Sequence, residues 1–387
     1  MKPYFQIWHE DITGPARLSE EILTSLLRGN SVLFVSYPDL PWRLDFRGGI
    51  EQQLDRAGLS TVHIDCEVDY TEGSIDEFIV DMVAPDKLAA YLRQRQGSKN
   101  QFLKREVFSN TVIWIRGLSG LDPAQWIQFV ADYRSRRPEE GLFVLEVFPD
   151  EGIRNLRLPQ SISVASYLDY VTQNDVHLFS YILASRNDIP AHLKQYAARV
   201  CANLCAPDGE IASELIDNMD FTKTDPVDGL RQLFEQKYAN SIRGTVCCGD
   251  EPHPFMLIRE NAIEELDRKV WAAQLQTAFP VIELERTALV KKWVNEIKIA
   301  LGEEYFDPVK YHTGYITQFG EQIDNPFDVE LGTLVRMMSL RKNKNIEQYL
   351  LYIPDEKDRY RIHFLHQRRN ELAHMVKCSP EHMDELL

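Results

Sequence analysis

The chain has 387 residues, 44% of them hydrophobic and 26% charged, with a formal net charge of −16. That length exceeds one ordinary core and fits two or three domains, and the acidic balance opposes binding to nucleic acid through bulk charge. No run approaches the roughly 20 apolar residues that span a bilayer, and the start "MKPYFQIWHEDITG" lacks the basic and apolar order of a secretory leader. The expectation is a cytoplasmic protein with no membrane contact.

In chain order, "SVLFV" (31–35), "STVHID" (60–65), "NTVIWI" (110–115), "GLFVLEVF" (141–148) and "DVHLFSYI" (175–182) read as strands. Between them "GGIEQQLDRAG", "SIDEFIVDMVAPDKLAAYLRQRQ" and "DPAQWIQFVADYRSRR" place apolar residues three and four apart, as helices do. Strands alternating with helices predict a mostly parallel sheet covered on both faces. From residue 187 "DIPAHLKQYAARVCANLC", "GEIASELIDNM" and "DPVDGLRQLFEQKY" read as a helical lid or connector, and "GTVCCGDEPHPFML" (244–257) breaks the pattern with Gly and Pro. The expected domains are therefore 1–186, 187–260 and 261–387.

The last part is nearly all helical. "NAIEELDRKVWAAQLQTAF" is expected to end or kink at Pro280, and "VIELERTALVKKWVNEIKIALG" to stop at Gly302. "NPFDVELGTLVRMMSLRK" follows, then "PDEKDRYRIHFLHQRRNELAHMVK" with Asp355 placed to cap it after Pro354. Together they predict a bundle of four or five helices, with Trp271 and Trp293 in its core. Residues 1–260 carry −12 of the net charge and 261–387 only −4, the latter with a basic cluster at Arg336, Arg341, Lys342 and Lys344.

Six cysteines in so long a chain do not make a disulfide framework. A zinc site from Cys201, Cys205, Cys247 and His253 is conceivable, but no CxxC or paired-histidine spacing supports it. Cys201 and Cys205 lie one helical turn apart, where small apolar side chains pack well. The reading takes no metal and no cofactor.

After the first strand a phosphate-binding loop would read GxxxxGK[ST]. The chain has "SYPDLPWR" (36–43), with Ser36 and Pro41 for the glycines and Trp42 and Arg43 for the Lys and Ser or Thr. The third strand, which should end in a magnesium-holding acid, ends in Arg116 and Gly117. The order of elements over residues 1–250 nevertheless resembles the P-loop ATPase domains of the AAA and STAND type. That resemblance, one of layout, implies a degenerate member kept as a platform for a protein partner. An unrelated doubly wound α/β domain and a true NTPase with an altered loop are the alternatives.

"RRNELAHM" (368–375) raises a different question. In a continuous helix Leu365, Arg369, Leu372 and Val376 share a stripe, so Arg369 interrupts an apolar face. His363, Gln367, Asn370 and His374 lie opposite. Asn370 and His374 can touch, whereas Arg369 and His374 are about 140° apart and cannot meet. Either the helix kinks, or two copies complete one site. "RRNELAH" in the last long helix resembles the R-x4-6-H motif of HEPN domains, over residues 261–387. The resemblance implies Arg369, Asn370 and His374 as the catalytic set of a metal-independent ribonuclease that acts on RNA as a homodimer. Arg336, Arg341, Lys342, Lys344 and Arg368 would then steer the RNA backbone, and the flanking His363 and His366 could assist. The full expectation is an α/β plus all-α chain: a P-loop-like parallel-sheet domain with a helical subdomain, followed by a HEPN-like helical bundle. It would serve as an endoribonuclease of a toxin or antiphage-defence system. The alternative is a noncatalytic interaction or nucleotide-binding subunit of a larger complex.

Overall fold

Strands that are apolar at every position need cover on both faces, and the first unit supplies it. After α1 (Thr13–Leu27) come β1 (Ser31–Val35), α2 (Arg43–Arg56), β2 (Ser60–Asp65), α3 (Ile75–Val83), β3 (Thr111–Arg116), α4 (Pro123–Arg136), β4 (Leu142–Val147) and β5 (Ile162–Ser166). The strands lie in the order β2-β3-β4-β1-β5, every neighbouring pair parallel, with Leu33 opposite both Leu145 and Val164. All residues of β1 and β4 are buried. Leu33, Val35, Ile113, Ile115, Phe143 and Leu145 share one core with Ile79 and Val80 of α3 and Trp126 and Val130 of α4. The alternate residues Phe34 and Trp114 meet each other on the opposite face, where Phe34 also packs on Phe46 of α2. The sheet is five-stranded and wholly parallel, as the alternation of strands and helices predicts.

The computed structural model describes the chain apart from residues 1, 71–72, 87–107, 119–120, 137–139, 150–157, 242, 246–251, 302–322, 324, 340, 344–345 and 349. Two compact units make it up, one of residues 1–183, 205–217 and 233–262, the other of 184–204, 218–232 and 263–387. The stretch 187–260, expected to be a connector of its own, is thus shared between them. Among the described residues no helix is long and apolar enough to cross a membrane.

Two strand expectations need correction. "DVHLFSYI" lies in α5 (Gln173–Arg186), where Val176, Phe179, Ser180 and Leu183 are buried at helical spacing. Its apolar residues repeat at three and four, which outweighs the local resemblance to an alternating strand. The fifth strand is instead "ISVAS", at the edge of the sheet beside β1 alone. Its Val164 is half exposed, so it lacks the continuous apolar run that marks the central strands.

The remaining helices are α6 (Lys194–Cys205), α7 (Gly209–Asn218), α8 (Pro226–Leu233), α9 (Pro254–Arg259), α10 (Ile263–Lys292), α11 (Val294–Leu301), α12 (Leu331–Met338), α13 (Glu356–Ala373) and α14 (Pro380–Leu386). Pro280 does not end α10, which runs through it with Ala278 and Ile282 buried on either side; burial on both flanks outweighs the lost backbone bond. The helix expected to reach Lys342 stops at Met338, and Arg341–Asn343 pairs antiparallel with Ile346–Gln348 in a small hairpin. Gly302 lies outside the described residues.

In the second unit α13 packs on α10 and α12, and α14 on α10. Trp271 and Trp293 are half buried rather than fully in the core, and each indole N–H finds a polar partner. Trp271 donates to the Leu372 carbonyl at 2.7 Å and Trp293 to Asp358 at 2.7 Å. Gln274, fully buried in α10, grips the chain just before α14 from both sides. Its Oε1 accepts from the Cys378 N–H at 2.7 Å and its Nε2 donates to the Cys378 carbonyl at 2.9 Å. Gln274→Ala would leave a buried donor and acceptor unpaired, so a loss of about 2–3 kcal/mol is expected. Urea denaturation followed by tryptophan fluorescence checks it.

Candidate functional site

The sequence places its candidate chemistry at the end of α13, and local signals fix that helix at both ends. Asp355 caps it as expected, accepting from the N–H groups of Lys357 and Asp358 at 2.9 and 3.3 Å. Ile362, Leu365 and Leu372 form the buried stripe. The helix then closes in a Schellman turn: the Val376 N–H reaches the Glu371 carbonyl at 2.8 Å and the Met375 N–H reaches Leu372 at 3.3 Å. Met375 takes the left-handed conformation at φ 58°, where glycine is usual. His374 is therefore the last residue of the helix path, exposed, and Met375 and Val376 are exposed beside it. Val376 does not continue the apolar stripe, because the chain has already left the helix.

The two adjacent arginines have opposite environments. Arg368 is 1% exposed. Its guanidinium hydrogen-bonds to His382 of α14, pairs with Glu371 at 3.0 Å and lies over the Phe364 ring. The expectation that Arg368 contacts RNA is thus corrected: a guanidinium sealed under α14 cannot reach a phosphate backbone. Arg369 is the partly exposed one. Its partner is Glu330, 3.8 Å away and itself largely in water. An ion pair of that kind is worth about 1 kcal/mol at most, which leaves Arg369 able to exchange Glu330 for another anion.

Asn370 turns back along the helix and donates from Nδ2 to His366 Nε2 at 3.0 Å. Because that nitrogen accepts, the neutral ring carries its proton on Nδ1. Burial, then the neighbouring charges of His363 and Arg369, hold His366 below its ordinary pKa. Among the described residues no hydrogen bond or ion pair joins Arg369 to His374. The sequence signal for the His366–Asn370 pair was the four-residue spacing that puts side chains one turn apart. Of the basic cluster, Arg336 is exposed on the last turn of α12, and Arg341 and Lys342 belong to the hairpin strand. Lys344 lies outside the described residues.

In the first unit, the position of a phosphate loop is filled from within. Trp42, at φ 45°, starts α2, and its N–H donates to the Glu210 carboxylate at 3.1 Å. Arg43 turns inward to the carbonyls of Tyr37 and Pro38, and Tyr37 stacks on Tyr167. The Glu210 carboxylate also accepts from Arg243 at 3.0 Å. Beside it Asp208, fully buried, accepts from the same guanidinium at 3.0 Å and from the N–H groups of Glu210 and Ile211. Burial opposes a charge on Asp208, but Arg243 and His253 outweigh it and hold the carboxyl below its ordinary value.

At the end of β3, Arg116 pairs with Asp65 at 2.6 Å. One strand over, Glu146 is buried on the α2 face, held by Arg47 at 2.6 Å and the Trp114 indole N–H at 2.9 Å. Sequence reasoning missed both internal charge groups: their members are up to 99 residues apart in the Arg47–Glu146 pair, and no short motif joins them. Cys201 and Cys205 are buried and form no disulfide, Cys247 lies outside the described residues, and no group of metal-binding side chains occurs among the described residues.

No protein-family model matches the chain, and no curated protein matches it. Among solved structures it is similar to one described as Drosophila ORC bound to poly(dA/dT) DNA and Cdc6, at 11% identity over 99% of this chain and 71% of that chain, with a TM-score of 0.27. A likeness at that score assigns no activity.

Proposed function

We propose that the second unit is a metal-independent endoribonuclease of the HEPN type, in a toxin or antiphage-defence role. The first unit, an AAA-like sheet domain whose phosphate-loop position is filled from within, serves as its regulator and protein-binding platform. The observation that carries this is the division of labour at the end of α13. Arg368 does the packing, while Arg369, Asn370 and His374 sit on the partly or fully exposed side of the helix, where the fold asks little of them.

The chemistry follows from the side chains. Histidine exchanges protons near neutral pH, and a permanently charged guanidinium holds the scissile phosphate and the charge that develops on it. Two copies set face to face would give one site two His374 side chains. One takes the 2′-hydroxyl proton as that oxygen attacks phosphorus, and the other protonates the departing 5′-oxygen. The products are a 2′,3′-cyclic phosphate and a 5′-hydroxyl. The exposed Met375 and Val376 next to His374 give such a homodimer an apolar contact.

The test is incubation of the protein with total RNA in EDTA, followed by end-group analysis. Cyclic phosphate ends are expected, and His374→Ala is expected to lower their rate of appearance about 10²–10⁴-fold. Absence of cleavage would favour the noncatalytic reading, in which this unit binds a partner or a nucleotide within a larger complex.

A further inference from the structure

Within one chain, Arg369 and His374 point about 140° apart around α13, and two other polar side chains occupy that arc. Taking about 100° per residue, the order around the helix is Arg369, His366, Asn370, His374, in steps of about 60°, 40° and 40°. The middle pair is joined by the 3.0 Å bond from Asn370 Nδ2 to His366 Nε2. His366 is half buried and α12 runs beside it: a side-chain carbon added at Gly332 would stand 3.3 Å from Nε2, so glycine at 332 leaves the imidazole its room.

We propose that His366 is the positioning residue of the nuclease site, fixing the Asn370 carboxamide so that it reads the ribose 2′-hydroxyl of RNA. The proposal rests on the ribonuclease reading of this unit. With one Nδ2 hydrogen bound to His366, Asn370 keeps its second Nδ2–H and its Oδ1. The oxygen is an acceptor suited to a 2′-hydroxyl, the group that separates RNA from DNA. The remaining N–H is a donor suited to a non-bridging phosphate oxygen. An amide free to rotate would present the two in either order; tied at Nε2 it presents one. Only neutral His366 can accept at Nε2, so protonation removes the tie. The charged and titratable groups that bear on it are His363 and Arg369 on its own helix, and Glu330 at the start of α12 through Arg369.

The experiment compares parent, His374→Ala, His366→Ala and His366→Gln in steady-state cleavage of an RNA oligonucleotide across pH 5–8, with melting curves for each. The expected result is that His366→Ala lowers kcat about 10–100-fold, the scale of a misplaced reacting group, with KM little changed. His366→Gln, whose side-chain oxygen accepts from Asn370 and does not titrate, should recover most of kcat and make the acidic fall-off shallower than in the parent, leaving only the limb that belongs to His374. If His374→Ala is inactive while His366→Ala matches the parent, or if the Gln variant folds but is as slow as the Ala variant, the positioning role is overturned and the nuclease reading stands. A parent without RNA cleavage, or a His374→Ala variant as active as the parent, overturns both.

Discussion

Replacing Arg243 with alanine is expected to cost the first unit about 3–5 kcal/mol, the range for stranding a buried charge. Asp208 has no exposed surface and accepts two bonds from that guanidinium, with a third going to Glu210. Without Arg243, the N–H groups at the start of α7 and the His253 ring 3.6 Å away remain near its charge. The pH dependence should also change sign. In the parent the Asp208 carboxyl lies below its ordinary value, so its contribution to stability is full above the unfolded value of about 3.9 and lost as pH falls through the lower folded value. In the variant, burial dominates and raises the carboxyl, so the penalty appears as pH rises and is relieved in acid. Urea denaturation at several pH values measures both effects. A double variant, Arg243→Met with Asp208→Asn, should lose clearly less than the sum of the single changes.

The second large effect separates neighbours. Arg368→Ala is expected to destabilise the second unit by about 3 kcal/mol, toward the lower end of the buried-pair range because Glu371 keeps part of its side chain in water. Arg369→Ala should move stability by less than about 1 kcal/mol and lower RNA cleavage about 10²–10³-fold, as removal of a charge-stabilising donor does. Melting temperature and cleavage rate, measured on the same two preparations, give the crossed pattern. If Arg369→Ala unfolded the unit instead, Arg369 would be a brace and the catalytic assignment would fail.

Sequence reasoning set Arg369 in the apolar stripe and Arg368 toward RNA, the reverse of their burial, and the geometry shows why. Around α13 they flank the apolar stripe of Leu365 and Leu372 at about 50° on either side. Which one is buried is decided by α14, whose His382 comes down on Arg368, while Arg369 faces only the exposed Glu330. Periodicity within a helix carries no information about what a later element covers. The three inner strands, β1, β3 and β4, were legible because burial on both faces demands continuous apolar runs. An edge strand makes no such demand: β2 was legible from its β-branched Thr61, Val62 and Ile64, whereas β5, "ISVAS", dilutes its two β-branched residues with Ser and Ala. The capping role of Asp355 was legible from its place after Pro354, whereas the turn at His374 was hidden because Met375 occupies the position where glycine would announce it.

The carboxylate of Glu210 sits on the amide of Trp42, the residue that leads into α2. A counter-ion that belongs to the chain has no dissociation rate and no concentration to deplete. Any diffusible anion arriving there must displace a tethered competitor and at the same time strip a bond from Arg243. The occupancy of that helix start is therefore buffered against the rise and fall of metabolite pools. A partner acting on this domain would have to do so through contacts on its outer surface.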